Sequence, residues 1–458
     1  MQPFFHPTAL HLLSLLHAAT VTLGLLTYIA LTHSGRQRRP PAAALAWVIA
    51  LIAFPYLALP VYLLLGTRKL SHRHLARNAS NSDGPTLTRG LDLPPPRPCS
   101  RFRLNSEGQQ ALDELLSLLD GAQSSIAVEI FIFREDSTGQ AIIDALARAV
   151  QRGAQVRLLL DGLGAFIGHR RTARALRAAG VELRWFSPIR LHLHPQFGRG
   201  NLRNHRKLVI VDEQRMWSGG RNFASEYFTG DVHNAAWQDL SFILEGDIVQ
   251  DALAGFARDW AIAGGEPFPA ALTTSASHAA GPHAQLLPSG PDRRDDTAHA
   301  LYINAIHRAD VRVWLATPYF VPDDALQQAL LSAARRGVHV RLLLPAQSNH
   351  RMADIARERS LRELAEAKAN IYLLPSMLHA KLVVVDQAFA SCGSINLDGR
   401  SLFLNYELNT LFFDIVQIGA FTAWFEQQCQ HASDYSARPP SWPRDVGEGI
   451  VRAVGFQL

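Results

Sequence analysis

At 458 residues and 48% hydrophobic composition the chain is long enough to fill more than one core, which excludes a small stapled domain. Its net charge of +5 is modest for that length, so it points to an anionic partner without demanding one; membrane phospholipid and nucleic acid both satisfy it. The three cysteines, Cys99, Cys392 and Cys429, leave an odd thiol under any pairing and lack metal-ligand spacing, which excludes a disulfide framework and a thiolate metal site.

The first element is an uncharged apolar run over residues 9–31, containing His11 and His17, whose length predicts a membrane-spanning helix. A cleaved signal peptide is the rival, but residues 1–7 hold no Lys or Arg and the run exceeds a signal core. Residues 42–65 form a second apolar span, with Trp47 as a candidate interface anchor and with Pro55 and Pro60, which spanning helices tolerate. Together residues 1–70 read as a membrane anchor of two spans, leaving the N-terminus and the remainder on one side. Arg36, Arg38 and Arg39 lie between the spans and Arg68, Lys69, Arg73 and Arg77 follow them, so positive charge leans toward a cytoplasmic remainder. Residues 71–101 are polar and proline-rich, including Pro94-Pro95-Pro96, and read as a linker rather than a core.

An alternating α/β rhythm follows. Helices are predicted over 111–119, 139–151 and 172–179, and strands over 126–133, 155–160 and 181–186, giving a sheet covered by helices on both faces. Trp185 and Phe186 then lead into a loop with Arg190, His192, His194, Arg199 and Arg203, which fits a wet core edge and a lipid-facing rim equally well. A Ser/Ala/Gly/His-rich passage over 275–283 separates a first domain, 102–275, from a second, 283–458. The second repeats the rhythm, with a strand at 311–316, a helix at 324–335 and Arg336-Gly337-Val338-His339-Val340-Arg341-Leu342-Leu343-Leu344 nearly restating Arg152-Gly153-Ala154-Gln155-Val156-Arg157-Leu158-Leu159-Leu160. Beyond an apolar stretch at 411–425 the tail carries no functional signal.

One motif, His-x-Lys-x4-Asp-x6-Gly-(Gly/Ser)-x-Asn, occurs in each half. It runs through His205, Lys207, Asp212, Gly219, Gly220 and Asn222, and again through His379, Lys381, Asp386, Gly393, Ser394 and Asn396. The apolar β-branched run after each lysine predicts a buried strand, with histidine and lysine on one of its faces. The glycine is expected to turn the backbone so that the asparagine amide returns toward the basic pair. Two histidines, two lysines and two asparagines suffice to surround one tetrahedral anion. A lone His-x-Lys is ordinary surface chemistry, but two copies sharing every interval are not.

At these residues the chain resembles the phospholipase D superfamily, and within it the bacterial cardiolipin synthases with two N-terminal spans. The likeness extends to Glu129-Ile130-Phe131-Ile132-Phe133-Arg134-Glu135-Asp136, to Thr317-Pro318-Tyr319-Phe320-Val321-Pro322-Asp323, and to Asn396-Leu397-Asp398-Gly399-Arg400-Ser401 with Leu404-Asn405-Tyr406-Glu407. The resemblance implies an α/β protein: two pseudo-symmetric phospholipase D-like sandwich domains with helices flanking the sheets, preceded by two transmembrane helices, in a bacterial inner membrane. It implies phosphatidyl transfer between two phosphatidylglycerols, giving cardiolipin and glycerol through a covalent phosphohistidine, with phospholipid hydrolysis or a silent anionic-lipid scaffold as alternatives. The expected partners are membrane phospholipids and the bilayer, without nucleic acid, metal or cofactor.

The resemblance also distributes roles. His205 is the expected nucleophile and His379 the acid and base, although symmetric motifs alone do not decide between them. Lys207 and Lys381 with Asn222, Asn396 and Ser394 would hold the phosphate oxygens. Glu407 and Asp239 would orient the histidines, the longer spacing from Asn222 to Asp239 making the second carry-over the looser. Asp212 and Asp386 complete the catalytic motif, yet their offset from the lysines suits hydrogen-bond anchors.

Overall fold

The computed structural model describes residues 7–34, 41–66, 68–69, 86–164, 169–187, 199–232, 234–268, 282–293 and 295–453. Residues 71–85 of the predicted linker, 275–281 of the boundary passage, the loop residues Arg190, His192 and His194, and the last residues of the tail lie outside these. The chain divides into two units.

One unit gathers the N-terminal helices with the described residues of 189–202 and 291–293. Helix α1 spans Pro7–Ser34, and its segment His11–Thr32 is, among the described residues, the one helix long and apolar enough to cross a membrane by length and composition. The second predicted span is instead two shorter helices, α2 (Pro41–Ala53) and α3 (Pro55–Leu65). The break follows from Pro55: it supplies no N–H, its ring excludes the carbonyl one turn back, and it drives Phe54 out of the helical region. Trp47, expected at an interface, packs edge-on against Tyr62 with ring centroids 5.0 Å apart, and Tyr28 joins them. Leu12, Leu15 and Leu26 of α1 face outward. Arg199 opens a single 3-10 turn, Arg199–Asn201, and a Cβ on its Gly200 would lie 3.2 Å from the Leu64 carbonyl oxygen.

The other unit holds both repeats. Short β1 (Arg97–Pro98) precedes β2 (Arg101–Asn105), α4 (Gly108–Asp120), β3 (Ser125–Ile130), α5 (Ser137–Gln151), β4 (Gln155–Asp161), α6 (His169–Ala178) and β5 (Glu182–Phe186). After the loop come β6 (Leu208–Val211), β7 (Arg215–Gly219), β8 (Ser241–Glu245) and α7 (Ile248–Ile262). Their sheet runs β2-β8-β7-β6-β3-β4-β5, with β3, β4 and β5 parallel and the rest antiparallel.

The second repeat starts with β9 (His283–Ser289), α8 (Thr297–Arg308), β10 (Arg312–Ala316), β11 (Phe320–Val321), α9 (Asp324–Arg335), β12 (His339–Pro345), α10 (Arg351–Glu366) and β13 (Asn370–Leu374). It continues with β14 (Leu382–Val385), β15 (Phe389–Gly393), β16 (Leu397–Asp398), α11 (Gly399–Phe403), β17 (Glu407–Phe412), α12 (Ile415–Gln430), β18 (Ser433–Asp434) and α13 (Trp442–Ala453). The second sheet runs β1-β9-β17-β15-β14-β10-β12-β13-β18, so its middle seven strands follow the same order as the first sheet, while β11 pairs β16 apart from it. The cap residues also correspond: Asp136 accepts the Gly139 N–H at the start of α5, and Asp323 that of Leu326 at the start of α9.

Each sheet buries its own aliphatic core against its helices. The repeats interlock through Phe102, Phe242, Phe412 and Phe421, whose ring centroids lie 5.0 to 5.8 Å apart. The apolar stretch at 411–425 is not one element: β17 ends at Phe412 and Asp414 caps α12 through the N–H groups of Val416 and Gln417. Helix α13 accounts for part of the tail, held to α10 by Arg362 on Glu448 at 2.6 Å.

The linker reading needs correction for residues 86–101. Leu93 is fully buried in the core of the second repeat, the Pro94 carbonyl accepts from Gln285, and Arg97–Pro98 adds a strand to β9. Four residues on, β2 pairs with β8 of the first sheet. The passage therefore straps both sheets together; proline suits it because an edge strand spares the missing N–H.

Candidate active site

Burial of the β-branched runs Leu208–Val211 and Leu382–Val385 places each basic pair at the upstream end of a central strand. His205, Lys207, His379 and Lys381 lie just before those strands rather than within them, because their backbone is claimed by the opposite repeat. The His205 N–H donates to the Tyr406 carbonyl at 2.9 Å, and the His379 N–H to the Gln238 carbonyl at 2.7 Å. Tyr406 and Gln238 each immediately precede a buried carboxylate.

Those carboxylates cross over. His205 Nδ1 lies 3.0 Å from Glu407 of the second repeat, and His379 Nδ1 lies 2.7 Å from Asp239 of the first. A carboxylate accepting from Nδ1–H keeps the lone pair on Nε2, at the opposite edge of the ring. Both acids are fully buried. Burial alone would raise them, but the facing histidine and nearby lysines hold each below its ordinary carboxylate range.

Desolvation acts in the opposite direction on the bases. It takes the His205 imidazole down to about 4 and His379 to about 3, and the Lys207 and Lys381 ammonium groups down to about 7 and about 8. The two motifs share one field: Lys381 depresses His205, Lys207 depresses His379, and Glu407 with Asp239 acts on both lysines. Lys207 Nζ donates to the His205 carbonyl at 2.7 Å; Lys381 Nζ lies 3.0 Å from His379 Nε2 and donates to the His379 carbonyl. With both imidazoles neutral and both lysines able to carry charge at neutral pH, an entering phosphodiester meets a lone pair and concentrated positive potential.

The remaining motif residues are less alike than their spacing suggests. Ser394, expected on the phosphate, donates its hydroxyl to Glu407 Oε2 at 2.5 Å and accepts from the Leu408 N–H at 2.9 Å, so it braces the carboxylate that holds His205. At the matching Gly220 a Cβ would lie 2.1 Å from Asp239 Oδ1, so that half has no room for a serine. Asn222 accepts from the Ile132 N–H at 3.2 Å and bonds the Tyr227 hydroxyl, while the Asn396 amide donates to Ser401 at 3.2 Å. Gly219 and Gly393 both serve close approach, since a Cβ would come 2.3 Å from the Leu240 or Leu408 carbonyl oxygen, and Gly219 also holds a φ of +146° that other residues rarely adopt.

Asp212 and Asp386 anchor backbone. Asp212 accepts from the N–H groups of Gln123, Ser124 and Ser125, and Asp386 from those of Asp310, Val311 and Arg312, each tying the end of a motif strand to the start of its antiparallel neighbour. Neither makes a hydrogen bond to a histidine among the described residues, which corrects their grouping with the catalytic residues. Sequence reasoning gave no role to the rings around the imidazoles: Phe131 stands edge-on to His205 at 4.9 Å, and Tyr227 and Trp237 flank His379 at 4.9 and 5.6 Å. Phe131 stands in a stretch quoted for the resemblance, the one signal that marked it. Among the described residues no group of three His, Cys, Asp or Glu side chains has the geometry of a metal site.

Paired α/β sheets bringing two carboxylate-backed histidines and two buried lysines together define a phospholipase D-like protein. The family model described as cardiolipin synthase, PLD-like domain, matches residues 115–260 and 302–429, and the chain belongs to that family. It is 32% identical to cardiolipin synthase A of Pseudomonas putida (strain W619) over 85% of this chain and 87% of that one. It is 31% identical to the cardiolipin synthase of Geobacillus thermodenitrificans (strain NG80-2) over 87% of this chain and 84% of that one. Among solved structures it is similar to phosphatidylserine synthase of Haemophilus influenzae Rd KW20, with a TM-score of 0.61 at 16% identity, covering 81% of this chain and 98% of that one; at that identity the likeness speaks for the fold alone.

Proposed function

We propose that this protein is a membrane-anchored cardiolipin synthase that transfers a phosphatidyl group from one phosphatidylglycerol to the hydroxyl of another. The observation that carries the mechanism is the crosswise pairing of His205 with Glu407 and of His379 with Asp239. The anionic phosphodiester beside His379 favours its charged form, so the imidazole takes up a proton from solvent as substrate enters. In the first step Nε2 of His205 then forms a bond to phosphorus as the bond to the glycerol oxygen breaks, and protonated His379 gives that oxygen its proton. In the second, His379 takes the proton of the incoming glycerol hydroxyl, whose oxygen bonds phosphorus as the phosphorus–nitrogen bond breaks. Lys207 and Lys381 neutralise the nonbridging oxygens throughout, with Asn222 and Asn396 as further donors once substrate displaces their present partners. Water in place of the second lipid would give phosphatidic acid.

The matching strand orders support an internal duplication with a pseudo-two-fold relation, the repeats falling near 102–275 and 283–458 after an anchor of residues 1–70. Helix α1 makes the first membrane crossing, α2 with α3 the second, and the catalytic unit faces the cytoplasm. Protection of the catalytic unit from added protease in sealed inverted vesicles would place it on the other side.

Purified full-length protein with labelled phosphatidylglycerol in mixed micelles tests the reaction. Cardiolipin and glycerol in equal amounts are expected, with acid-labile phosphate trapped on His205. Phosphatidic acid alone makes the protein a hydrolase, absence of product makes it a scaffold, and label on His379 exchanges the two roles.

A further inference from the structure

Behind His205 lies a buried polar chain that the reaction scheme does not use. Arg206, the variable residue between His205 and Lys207, is almost wholly buried. Its Nε donates to the main-chain carbonyl of Glu407 at 3.2 Å, its Nη1 pairs with Asp259 of α7, and its guanidinium lies 5.4 Å from the centre of the Tyr406 ring. Asn204 accepts the Arg206 N–H at 3.1 Å and turns its own amide onto Glu129 of β3, which in turn shares a hydrogen bond with Asp259. Burial, then the negative charge of Asp259, keeps Glu129 protonated well above the ordinary range, so the cluster carries one cation against one anion.

The second repeat lacks three of these four side chains. Glu129 pairs with Leu208 in register, and the residue pairing with Leu382 is Ala316. The residues matching Arg206 and Asn204 are Ala380 and Leu378. Counted from the Asp-Ile-Val-Gln that opens α7 and recurs at 414–417, the residue matching Asp259 is Glu426, which is exposed. The three side chains that link Asp259 to the motif are thus present together on one side and absent together on the other, which suits a connected network better than separate surface choices. The network ends on the residue whose side chain grips His205.

We propose that Arg206 is a positioning residue that fixes Glu407 against His205, with Asp259 and Glu129 holding the guanidinium in place. It rests on the reading of His205 and Glu407 as a working pair. Arginine suits this role because its fork can serve Asp259 and the Glu407 carbonyl at once, whereas a lysine ammonium on its flexible stem cannot span both.

The test is a pair of double-mutant cycles on the full-length protein in micelles, following kcat, KM and the thermal midpoint. Arg206→Lys should lower kcat about 10-fold with KM within about 3-fold and the midpoint near that of the parent. In a Glu407→Gln background the same change should cost less than about 2-fold, because the carboxylate it places is already lost; in Asp239→Asn it should keep its roughly 10-fold cost. Asp259→Asn, which loosens the guanidinium from its other end, should repeat that selectivity. Equal losses in both backgrounds, a parental kcat for Arg206→Lys, or failure of both variants to fold would each overturn the proposal and leave Arg206 a stabilising residue. A parent protein that yields phosphatidic acid instead of cardiolipin would sink the transferase reading while leaving the cycles readable on hydrolysis.

Discussion

Glu407 holds the His205 imidazole at 3.0 Å although 202 residues of chain separate them. Asp239 returns the arrangement to His379 across 140 residues, so each repeat supplies the histidine of one pair and the carboxylate of the other. Neither repeat contains both members of either of these two pairs, and opening the seam between them dismantles both at once.

Glu407→Gln and Asp239→Asn keep shape but remove the charge that orients and supports imidazolium. Each should lower kcat by about 10²–10⁴ with a small effect on KM. With His205 attacking, Glu407→Gln should also abolish rapid formation of phosphohistidine in a single turnover. Steady-state and quench-flow kinetics with labelled phosphatidylglycerol measure both.

The lysines predict an alkaline limb. Lys207 sits at about 7 and Lys381 at about 8, so as pH rises through that window they lose the charge that receives the phosphodiester, and kcat/KM should fall. The acid limb should lie low, near pH 4, because His205 remains neutral down to about 4. A flat profile from pH 6 to 9.5 would contradict this placement of the ammonium groups.

Acid should also weaken the fold. Unfolded histidine takes up a proton near pH 6.5, whereas buried His205 and His379 resist until about 4 and about 3, so the unfolded state binds more protons as pH falls through that range. Asp239 and Glu407 act in the same sense, because their folded forms stay ionised below the usual carboxylate range and their contribution is lost as they protonate. Melting temperature in detergent should therefore drop steadily from pH 6.5 to 4. His379→Asn should flatten that slope.

Gly220 and Ser394 should not exchange. Gly220→Ser forces a Cβ to 2.1 Å from Asp239 Oδ1, and either the strand or the carboxylate must move, costing about 1–3 kcal/mol by melting. Ser394→Gly removes a hydrogen bond to an ionised acid, a loss of about 1.5–3 kcal/mol. The first should damage the His379 side of the site and the second the His205 side, and kinetics in the two single-carboxylate backgrounds separates them.

Leu93→Ala tests the strap of residues 86–101. Leu93 is fully buried, and truncation should cost about 2–5 kcal/mol. A freely moving linker would show no change in chemical denaturation.

Much of this was legible in one dimension. Strand and helix periodicity located β4, α9 and their neighbours within a few residues, and the paired motif singled out His205, Lys207, His379 and Lys381 because repetition of polar residues at fixed intervals has no packing explanation. The break at Pro55 and the burial of Leu93 were missed for different reasons. A hydropathy run does not register the N–H and the space that a proline removes, and a proline-rich passage looks like solvent-exposed chain until an edge strand with no need of those N–H groups is available to receive it.

By itself the sequence determined that two sets of His, Lys, Asp and Asn exist at matching intervals, since covalent order alone sets their spacing. Only the tertiary structure decided that the carboxylates cross over, that Ser394 serves Glu407 and that Arg206 ties the two repeats together. Those pairings span up to 202 residues and depend on which backbone groups the packed sheets leave for each other, a choice made when burial removes water as the competing partner.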